Sequence, residues 1–196
     1  MVIKCEFCYV TFLSDPKYAC NALNLNVKTM DRLITEVKGE NLEGMDDKDV
    51  TEFFIYEQHC PYLPFNLEDH FPNLDYLLVF DSNLRELKKS DIQGLTKLTF
   101  LEIDFNPIQE IRKDLFDGNP LLEVVSFFGC RLKFIEDGIL SPLINLKQFY
   151  FNYNICINVP SVPDKFDFEE LKIALKACSE PKNKVQSKLT KISTFK

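Results

Sequence analysis

Two cysteines near the start of the chain, Cys5 and Cys8 in VIKCEFCYVTF, have a spacing that occurs in redox centres and zinc sites. A redox centre of this kind lies at the N-terminus of a helix after a strand. A zinc site needs two further Cys or His ligands nearby. Here the residues around the pair alternate like a strand, on which residues three apart point to opposite faces. The two cysteines are therefore not expected to meet the same partner.

Other residues with catalytic potential are few. The two histidines are His59 and His70, and His59 stands beside Cys60, but adjacent residues on a strand face opposite ways. There is no Gly-rich phosphate loop, no H-E-x-x-H and no G-x-S-x-G. We therefore predict that the protein is not an enzyme and needs no cofactor or metal. The weaker alternative is a thiol-dependent or metal-binding protein that uses Cys5 and Cys8.

Composition and charge narrow the class of partner. The chain has 196 residues, 45% of them apolar, which is enough for one well-cored domain. Its net charge of −7 combines a body at −12 with a final segment, residues 181–196, that carries five lysines and no acid. An acidic body argues against nucleic-acid binding. No apolar run approaches the ~20 residues of a transmembrane helix.

The middle of the chain repeats every 24 residues. Five copies start at positions 50, 74, 98, 122 and 146, without insertion or deletion. In each copy, apolar residues alternate and then give way to a less regular stretch, which predicts a short strand followed by a loop or helical turn. One such unit cannot bury its apolar side alone, so we expect neighbouring copies to stack as a parallel ladder around a continuous core.

The repeat resembles the leucine-rich repeat, L-x-x-L-x-L-x-x-N/C-x-L, over residues 50–156. The resemblance implies an α/β fold, a right-handed horseshoe-shaped solenoid with a parallel β-sheet on its concave face. It also implies that the ninth residue of each copy turns inward and satisfies backbone groups, a role that Asn106, Cys130 and Asn154 fit. Gln58 and Ser82 depart from the pattern, so the first two coils are expected to be less regular.

The chain before the repeats, residues 1–49, is predicted to form an N-terminal cap and an irregular first coil. CEFCYVTF and KYACNALNLNV alternate and are joined by the turn-like LSDPK, which favours an antiparallel hairpin. The region is similar to the N-terminal caps of small secreted leucine-rich repeat proteins of insects. Cys5 and Cys20 could be opposed in this hairpin and form a disulfide. The role of Cys8 stays open.

The chain after the repeats, residues 157–180, is predicted to form a helical cap. DFEELKIALKAC places Phe168, Leu171, Leu175 and Cys178 on one helical face. A disulfide between Cys156 and Cys178 would hold this helix over the open end of the core, as in the C-terminal caps of extracellular leucine-rich repeat proteins. Residues 181–196 are expected to be a flexible basic tail.

A binding surface is predicted on the concave face, where the residues between the core positions of each strand point away from the core. Aromatic residues are frequent at these positions, and aromatics are enriched in interface hot spots. Packing of the rings on one another along the sheet is the alternative explanation. The candidate residues are Phe54, Tyr56, Tyr76, Leu78, Phe80, Phe100, Glu102, Asp104, Phe128, Tyr150 and Tyr153.

We therefore expect a non-catalytic recognition module in an extracellular fluid or on a cell surface, with a role in defence or signalling implied by the insect resemblance. The first residues lack the apolar core of a secretory signal, so this reading implies that the leader is absent from the chain as written. Acidic residues that are expected to face water beside the aromatics favour a protein partner with exposed apolar and basic groups; they are Glu52, Glu57, Asp81, Glu102 and Asp104. An intracellular adaptor with reduced cysteines is the alternative. Whether two copies pair along the solenoid edges is left open.

Overall fold

The structure, a computed structural model, describes residues 1–11, 15–28, 31–158 and 168–179, without the side chains of residues 168 and 170. The predicted tail, residues 181–196, lies outside the described residues. The strands are β1 (Val2–Val10), β2 (Lys17–Leu23), β3 (Glu36–Lys38), β4 (Glu52–Tyr56), β5 (Tyr76–Phe80), β6 (Phe100–Glu102), β7 (Glu110–Ile111), β8 (Val124–Ser126), β9 (Phe134–Ile135) and β10 (Gln148–Tyr150). The helices are α1 (Leu67–His70), α2 (Lys89–Ile92) and α3 (Phe168–Ser179).

The strands of the repeats pair side by side in sequence order. The main sheet has the order β10-β8-β6-β5-β4-β2-β1-β3, and the five strands from β4 to β10 in this sheet are parallel to one another. Their register follows the 24-residue spacing, because Phe53 pairs with Leu77, Leu77 with Leu101, Leu101 with Val125 and Val125 with Phe149. The prediction of a solenoid of parallel strands is confirmed.

Apolar residues at equivalent positions of each repeat fill a continuous core. The five residues that open the copies, and the five paired residues at the centre of the strands, are all buried. A second, two-stranded sheet pairs β7 with β9 in parallel and buries Ile111 and Ile135 on the other side of the coils. These two coils therefore contribute apolar side chains from two strands each, and stacking removes them from water.

At the N-terminal end, a hairpin extends the main sheet. Strands β1 and β2 are antiparallel, β2 pairs in parallel with β4, and β3 joins the far side of β1. Cys5 and Cys20 form a disulfide with a Cα–Cα distance of 5.2 Å. They are diagonal neighbours and not directly opposed, because Cys5 pairs with Ala22 and Cys20 with Phe7. Two residues of offset on the same face still bring the side chains together.

At the C-terminal end, helix α3 packs against the last coil. Its buried face presents Leu171, Leu175 and Cys178, spaced at four and three residues as one side of a helix requires. Cys178 forms a disulfide with Cys156, which follows β10, and the Cα–Cα distance is 5.1 Å. The helix is thereby attached to the end of the final repeat.

The ninth position of each repeat makes hydrogen bonds to the coil before it. Asn106 donates to the Val79 carbonyl at 2.8 Å and accepts from the Ser82 and Leu84 amides at 3.1 and 2.9 Å. Asn154 donates to the Phe127 carbonyl, and Cys130 to that of Ile103. The two departures from the pattern have related contacts. Ser82 donates to the Ile55 carbonyl, and Gln58 accepts from the Leu25 amide, so regularity extends to the first coils.

Candidate binding surface

The eighth residue of every repeat has a left-handed backbone. Its φ angle lies between 41° and 64° in all five copies, at Glu57, Asp81, Phe105, Gly129 and Tyr153. This conformation turns the chain sharply at the end of each strand, just before the ninth side chain enters the coil. Glycine, asparagine and aspartate adopt it most readily, whereas bulky side chains are uncommon there. Phenylalanine and tyrosine at this position are therefore unfavourable for the backbone.

Five aromatic rings form an unbroken row across the ends of the strands, which we call the aromatic ridge: Tyr56, Phe80, Phe105, Phe128 and Tyr153. The first pair is stacked, with ring centroids 4.7 Å apart. The next three pairs meet edge to face at 5.2, 5.3 and 5.0 Å. With neighbouring strands ~4.8 Å apart, the ridge is roughly 20 Å long. Tyr56, Phe105 and Tyr153 are 52%, 46% and 69% exposed.

The ridge stays continuous because the rings come from two different repeat positions. In three coils the ring is at the seventh position, and in the other two the seventh position holds Asp104 or Asn152 while the ring is at the eighth. Gly129 makes this possible, because a Cβ at that position would lie 2.8 Å from the Phe105 ring. Phe105 is not among the candidate residues predicted from the sequence. An aromatic residue directly after a polar seventh position is the signal that identifies it.

A second group of rings lies lower on the same sheet face. Tyr76 contacts Phe54 and Phe100 at centroid distances of 5.4 and 5.5 Å. Phe54 was expected to face water, but it is only 7% exposed, so that expectation was wrong. The reason is that β4 has paired strands on both sides and the Tyr76 ring lies against Phe54. The other selected residues of the lower rows, Tyr76, Leu78, Phe100 and Tyr150, are half-buried.

The acidic residues of the face are less available than the sequence suggested. Asp104 accepts hydrogen bonds from the Ser126 hydroxyl and the Phe128 amide at 2.5 and 2.9 Å, so it supports the backbone of the ridge. Glu102 is half-buried and is hydrogen-bonded to Tyr76. Burial raises the pKa of both carboxyl groups, and in Glu102 the nearby Asp104 raises it further. The carboxylates of Glu57 and Asp81, at the eighth position of the first two coils, are exposed.

Glu52 is the most perturbed acid on the face. It is 4% exposed, and its Oε2 atom has no hydrogen-bond partner among the described residues. Burial is the main cause that raises its pKa to about 7, and the neighbouring Asp75 adds to the effect while Lys17 opposes it. Glu52 was expected to be one of the solvated acids of the binding face. It is covered because β2 of the hairpin pairs alongside β4.

The cysteines and histidines that the structure describes lie in separate environments. Burial raises the pKa of the Cys60 and Cys130 thiols to about 12, which keeps them protonated. Cys5 is in a disulfide, and Cys8 lies on the opposite face of β1, where the Asn21 amide donates to its sulfur at 3.4 Å. His59 is exposed while Cys60 is fully buried. In the part of the chain that the structure describes, no three His, Cys, Asp or Glu side chains are placed to hold a metal ion.

Parallel strands in a 24-residue register, a continuous core and the hydrogen-bonded ninth position define a solenoid of stacked coils. No protein-family model matches the sequence, and no curated protein matches it significantly. Among solved structures, 27 chains match. One belongs to the Toll–Spatzle complex, described as a molecular hub in Drosophila development and innate immunity, with 16% identity and a TM-score of 0.47. That match covers 59% of this chain and 16% of the other.

The three α-helices that the structure describes have 4, 4 and 12 residues. None of them combines the length and the apolar character that crossing a membrane requires.

Proposed function

We propose that this protein is a non-catalytic binding module that recognises another protein through the aromatic ridge. In this proposal the chain is an extracellular leucine-rich repeat protein, a right-handed horseshoe whose hairpin and helix α3 cap the two ends of the core. Recognition in defence or signalling is the biological role that the resemblance to secreted insect proteins suggests. The observation that carries the proposal is the presence of exposed rings on left-handed backbone.

Energetics favour binding over simple ring packing as the reason for these rings. A left-handed residue with a side chain costs roughly 1–2 kcal/mol, and an aromatic pair returns about 0.5–1.5 kcal/mol. Among the described residues Tyr153 has one ring neighbour, Phe128, and the two energies are of similar size, so this contact gives the ring little or no net stabilisation. Most of its side chain remains in water. A partner that covers this ring would remove it from water and offset the backbone strain, which would explain why a tyrosine occupies the position.

The charge around the ridge favours a partner with basic groups. Glu57 and Asp81 are exposed beside the first two rings, Tyr56 and Phe80. The other end, around Tyr153, has apolar Ile155 exposed nearby in sequence. A partner surface that is basic at one end and apolar along its length would therefore match the ridge. The expected orientation places its basic end at the first coil.

A capture experiment tests the use of the ridge. Immobilised wild-type protein is exposed to extracellular fluid of the source tissue, in parallel with Tyr56→Ser/Tyr153→Ser and with a control, Ile144→Ser/Ile173→Ser. The control removes two apolar side chains that are 82% and 72% exposed and lie outside the ridge. We expect a protein captured by wild type and control to bind the ridge variant at least about tenfold more weakly. Equal capture by all three proteins would refute the proposal.

The extracellular location is tested by the state of the cysteines. Two cysteine pairs lie at disulfide distance, which is consistent with an oxidising compartment. Protein made in such a compartment should show two bridges and three free thiols by intact mass before and after reduction. Seven free thiols in natively folded protein would instead support the intracellular adaptor with reduced cysteines. Bound zinc would support the metal-binding alternative.

A further inference from the structure

We propose that the partner element recognised by the aromatic ridge is an amphipathic α-helix that lies along the ridge, with its basic end over Glu57 and Asp81. The inference rests on the proposed function in one respect, that the ridge is a docking surface for a protein. It adds which secondary structure the partner presents there. Three observations support it: the profile of the ridge, the spacing of its rings and the position of its charges.

The profile of the ridge is uneven, because prominent rings alternate with recessed ones. Tyr56, Phe105 and Tyr153, in the first, third and fifth coils, are 52%, 46% and 69% exposed. Phe80 and Phe128, in the second and fourth coils, are half-buried, and each lies between two other rings. This alternation implies two shallow dips in the surface, one over each recessed ring. The dips are two strands apart, which is ~10 Å.

A helix matches this spacing better than an extended strand does. Residues seven apart on a helix lie on the same side at an interval of ~10.5 Å, so their side chains would enter successive dips as knobs enter holes in helix packing. The ring centroids are 4.7 to 5.3 Å apart, close to the ~5.4 Å of one helical turn. Residues on one face of a strand are ~6.6 Å apart, so a strand would lose register with the rings after one or two contacts.

The backbone beneath the middle of the ridge also offers no free edge to an extended strand. Strands β5, β6 and β8 each pair with a strand on both sides. Recognition by strand addition needs an unpaired edge, where the backbone of the partner can form hydrogen bonds. A partner at the middle of the ridge therefore makes its contacts with side chains. This is how an amphipathic helix binds when it lays its apolar face on a surface.

The charges beside the ridge give the bound helix a direction. Glu57 and Asp81 are exposed at the eighth position of the first two coils, and at this position the other three coils have no charged residue. Arg131, two residues beyond the eighth position of the fourth coil, is exposed. One end of the ridge is therefore acidic and the other is not. A helix with basic side chains at one end would place that end over the first two coils.

Synthetic peptides test the preference for a helix. The probe has about 20 residues, with leucines in the i, i+4, i+7, i+11, i+14 pattern of a helical stripe, lysines at one end, and alanine and glutamine elsewhere. A second peptide of the same composition has its leucines at every other position, as on one face of a strand. In fluorescence-anisotropy titrations with the full chain, the helix-patterned peptide should bind at least about tenfold more tightly. Equal or tighter binding of the strand-patterned peptide would overturn the inference.

Protein variants locate the binding site of the helix-patterned peptide. Tyr56→Ser/Tyr153→Ser removes two prominent rings and should weaken its binding at least about tenfold. Ile144→Ser/Ile173→Ser removes two exposed apolar side chains outside the ridge and should leave binding unchanged. All four side chains are exposed, so both variants are expected to fold, and circular dichroism checks this. Equal affinity of wild type and the ridge variant would mean that the peptide binds elsewhere and that the inference is wrong.

Carbodiimide crosslinking tests the direction of the helix. The lysine end of the bound peptide should join to Glu57 or Asp81, as read by mass spectrometry. Glu57→Gln/Asp81→Asn should weaken binding about threefold to fivefold, because it removes the acids that the lysines contact. The matched control, Glu40→Gln/Glu43→Gln, removes two exposed acids from the segment before the repeats and should leave binding unchanged. Crosslinks to acids outside the ridge, with none at Glu57 or Asp81, would contradict the proposed direction.

The capture experiment separates this inference from the proposed function. If the ridge variant loses the captured protein while the two peptides bind alike, the inference is wrong and the proposed function stands. If the ridge variant loses the helix-patterned peptide but keeps the captured protein, the ridge binds helices and the proposed function is wrong.

Discussion

In each repeat, the eighth residue has a left-handed backbone and points to the surface, whereas the ninth turns its side chain into the coil and hydrogen-bonds to the preceding one. The two neighbours differ in which residues they accept. The ninth position is filled by Gln58, Ser82, Asn106, Cys130 and Asn154, all able to donate or accept inside the coil. The eighth is filled by residues with nothing in common, from glycine to tyrosine. Its variety is not explained by local stability.

Under the proposed function, this contrast separates residues that stabilise the coil from residues that contact a partner. A side chain that satisfies buried backbone groups can change type as long as the hydrogen bonds remain. A ring at a left-handed residue strains the backbone, stays about half exposed to water and satisfies no buried backbone group. Local structure therefore does not explain its presence. Under the proposed function the ridge is the binding surface, and the ninth position supports the coil that orients it.

The largest expected effect is at the ninth position. Asn106→Ala removes the partner of the Ser82 and Leu84 amides and of the Val79 carbonyl, all deep in the coil. Because buried groups left without hydrogen bonds cost about 1–3 kcal/mol each, we expect a loss of about 3–5 kcal/mol in the free energy of unfolding. Chemical denaturation followed by circular dichroism measures it.

The matched control for this substitution is Asn106→Ser, since the chain itself uses serine at the same position in the preceding coil, where Ser82 donates to Ile55 and accepts from Gln58. The serine variant should keep part of the hydrogen bonding and lose clearly less stability than the alanine variant. Equal losses would show that the side-chain volume, and not the hydrogen bonds, stabilises the coil at this position.

Sequence reasoning recovered the repeat and its strand register because apolar periodicity directly encodes which side chains must be buried. It did not recover the burial of Glu52 and Phe54, because that depends on the hairpin strand β2 lying beside β4, a contact between distant segments. It also left Phe105 out of the site. The left-handed turn that brings this ring into line with Phe80 and Phe128 is set by the sharp bend of the coil, not by any residue type.

The second prediction concerns Glu52, which is buried like a ninth-position residue but lacks a hydrogen bond to its Oε2 atom among the described residues. Its pKa in the folded protein is about 7, above the ordinary value of 4.5. The folded state therefore binds more protons than the unfolded state between these values, and stability falls as pH rises from about 4.5 to 7. Above pH 7, we expect Glu52→Gln to raise the free energy of unfolding by a value on the order of 2–3 kcal/mol.

Unfolding of wild type and Glu52→Gln at pH 4.5 and pH 8 measures this effect. The two proteins should be close in stability at the lower pH and differ most at the higher one, with the glutamine variant more stable. Asp81→Asn serves as the control, since it removes an exposed carboxylate from the same face. A glutamine variant that follows the wild-type pH profile would mean that the Glu52 carboxylate is solvated.

A smaller effect is expected at the eighth position of the fourth coil. Gly129→Ala adds a Cβ to a residue with a φ of 64° and places it 2.8 Å from the Phe105 ring. Left-handed strain together with displacement of the ring should lower the free energy of unfolding by about 1–2 kcal/mol. Gly44→Ala is the matched control, because Gly44 also has a positive φ, of 79°, but its added Cβ would meet nothing within 4 Å. A larger loss at Gly44 than at Gly129 would contradict crowding in the ridge.

The smallest expected change in stability is at Tyr153, and it gives the sharpest test of the contrast. Asparagine tolerates the left-handed backbone, so Tyr153→Asn relieves strain while it loses one ring contact, and the free energy of unfolding should change by less than about 1 kcal/mol in either direction. Partner affinity, measured by titration calorimetry, should nevertheless fall at least about tenfold. Tyr153→Phe keeps the ring and should keep the affinity. A loss of stability above about 2 kcal/mol in Tyr153→Asn, with binding unchanged, would make the ring a structural element like the ninth-position residues.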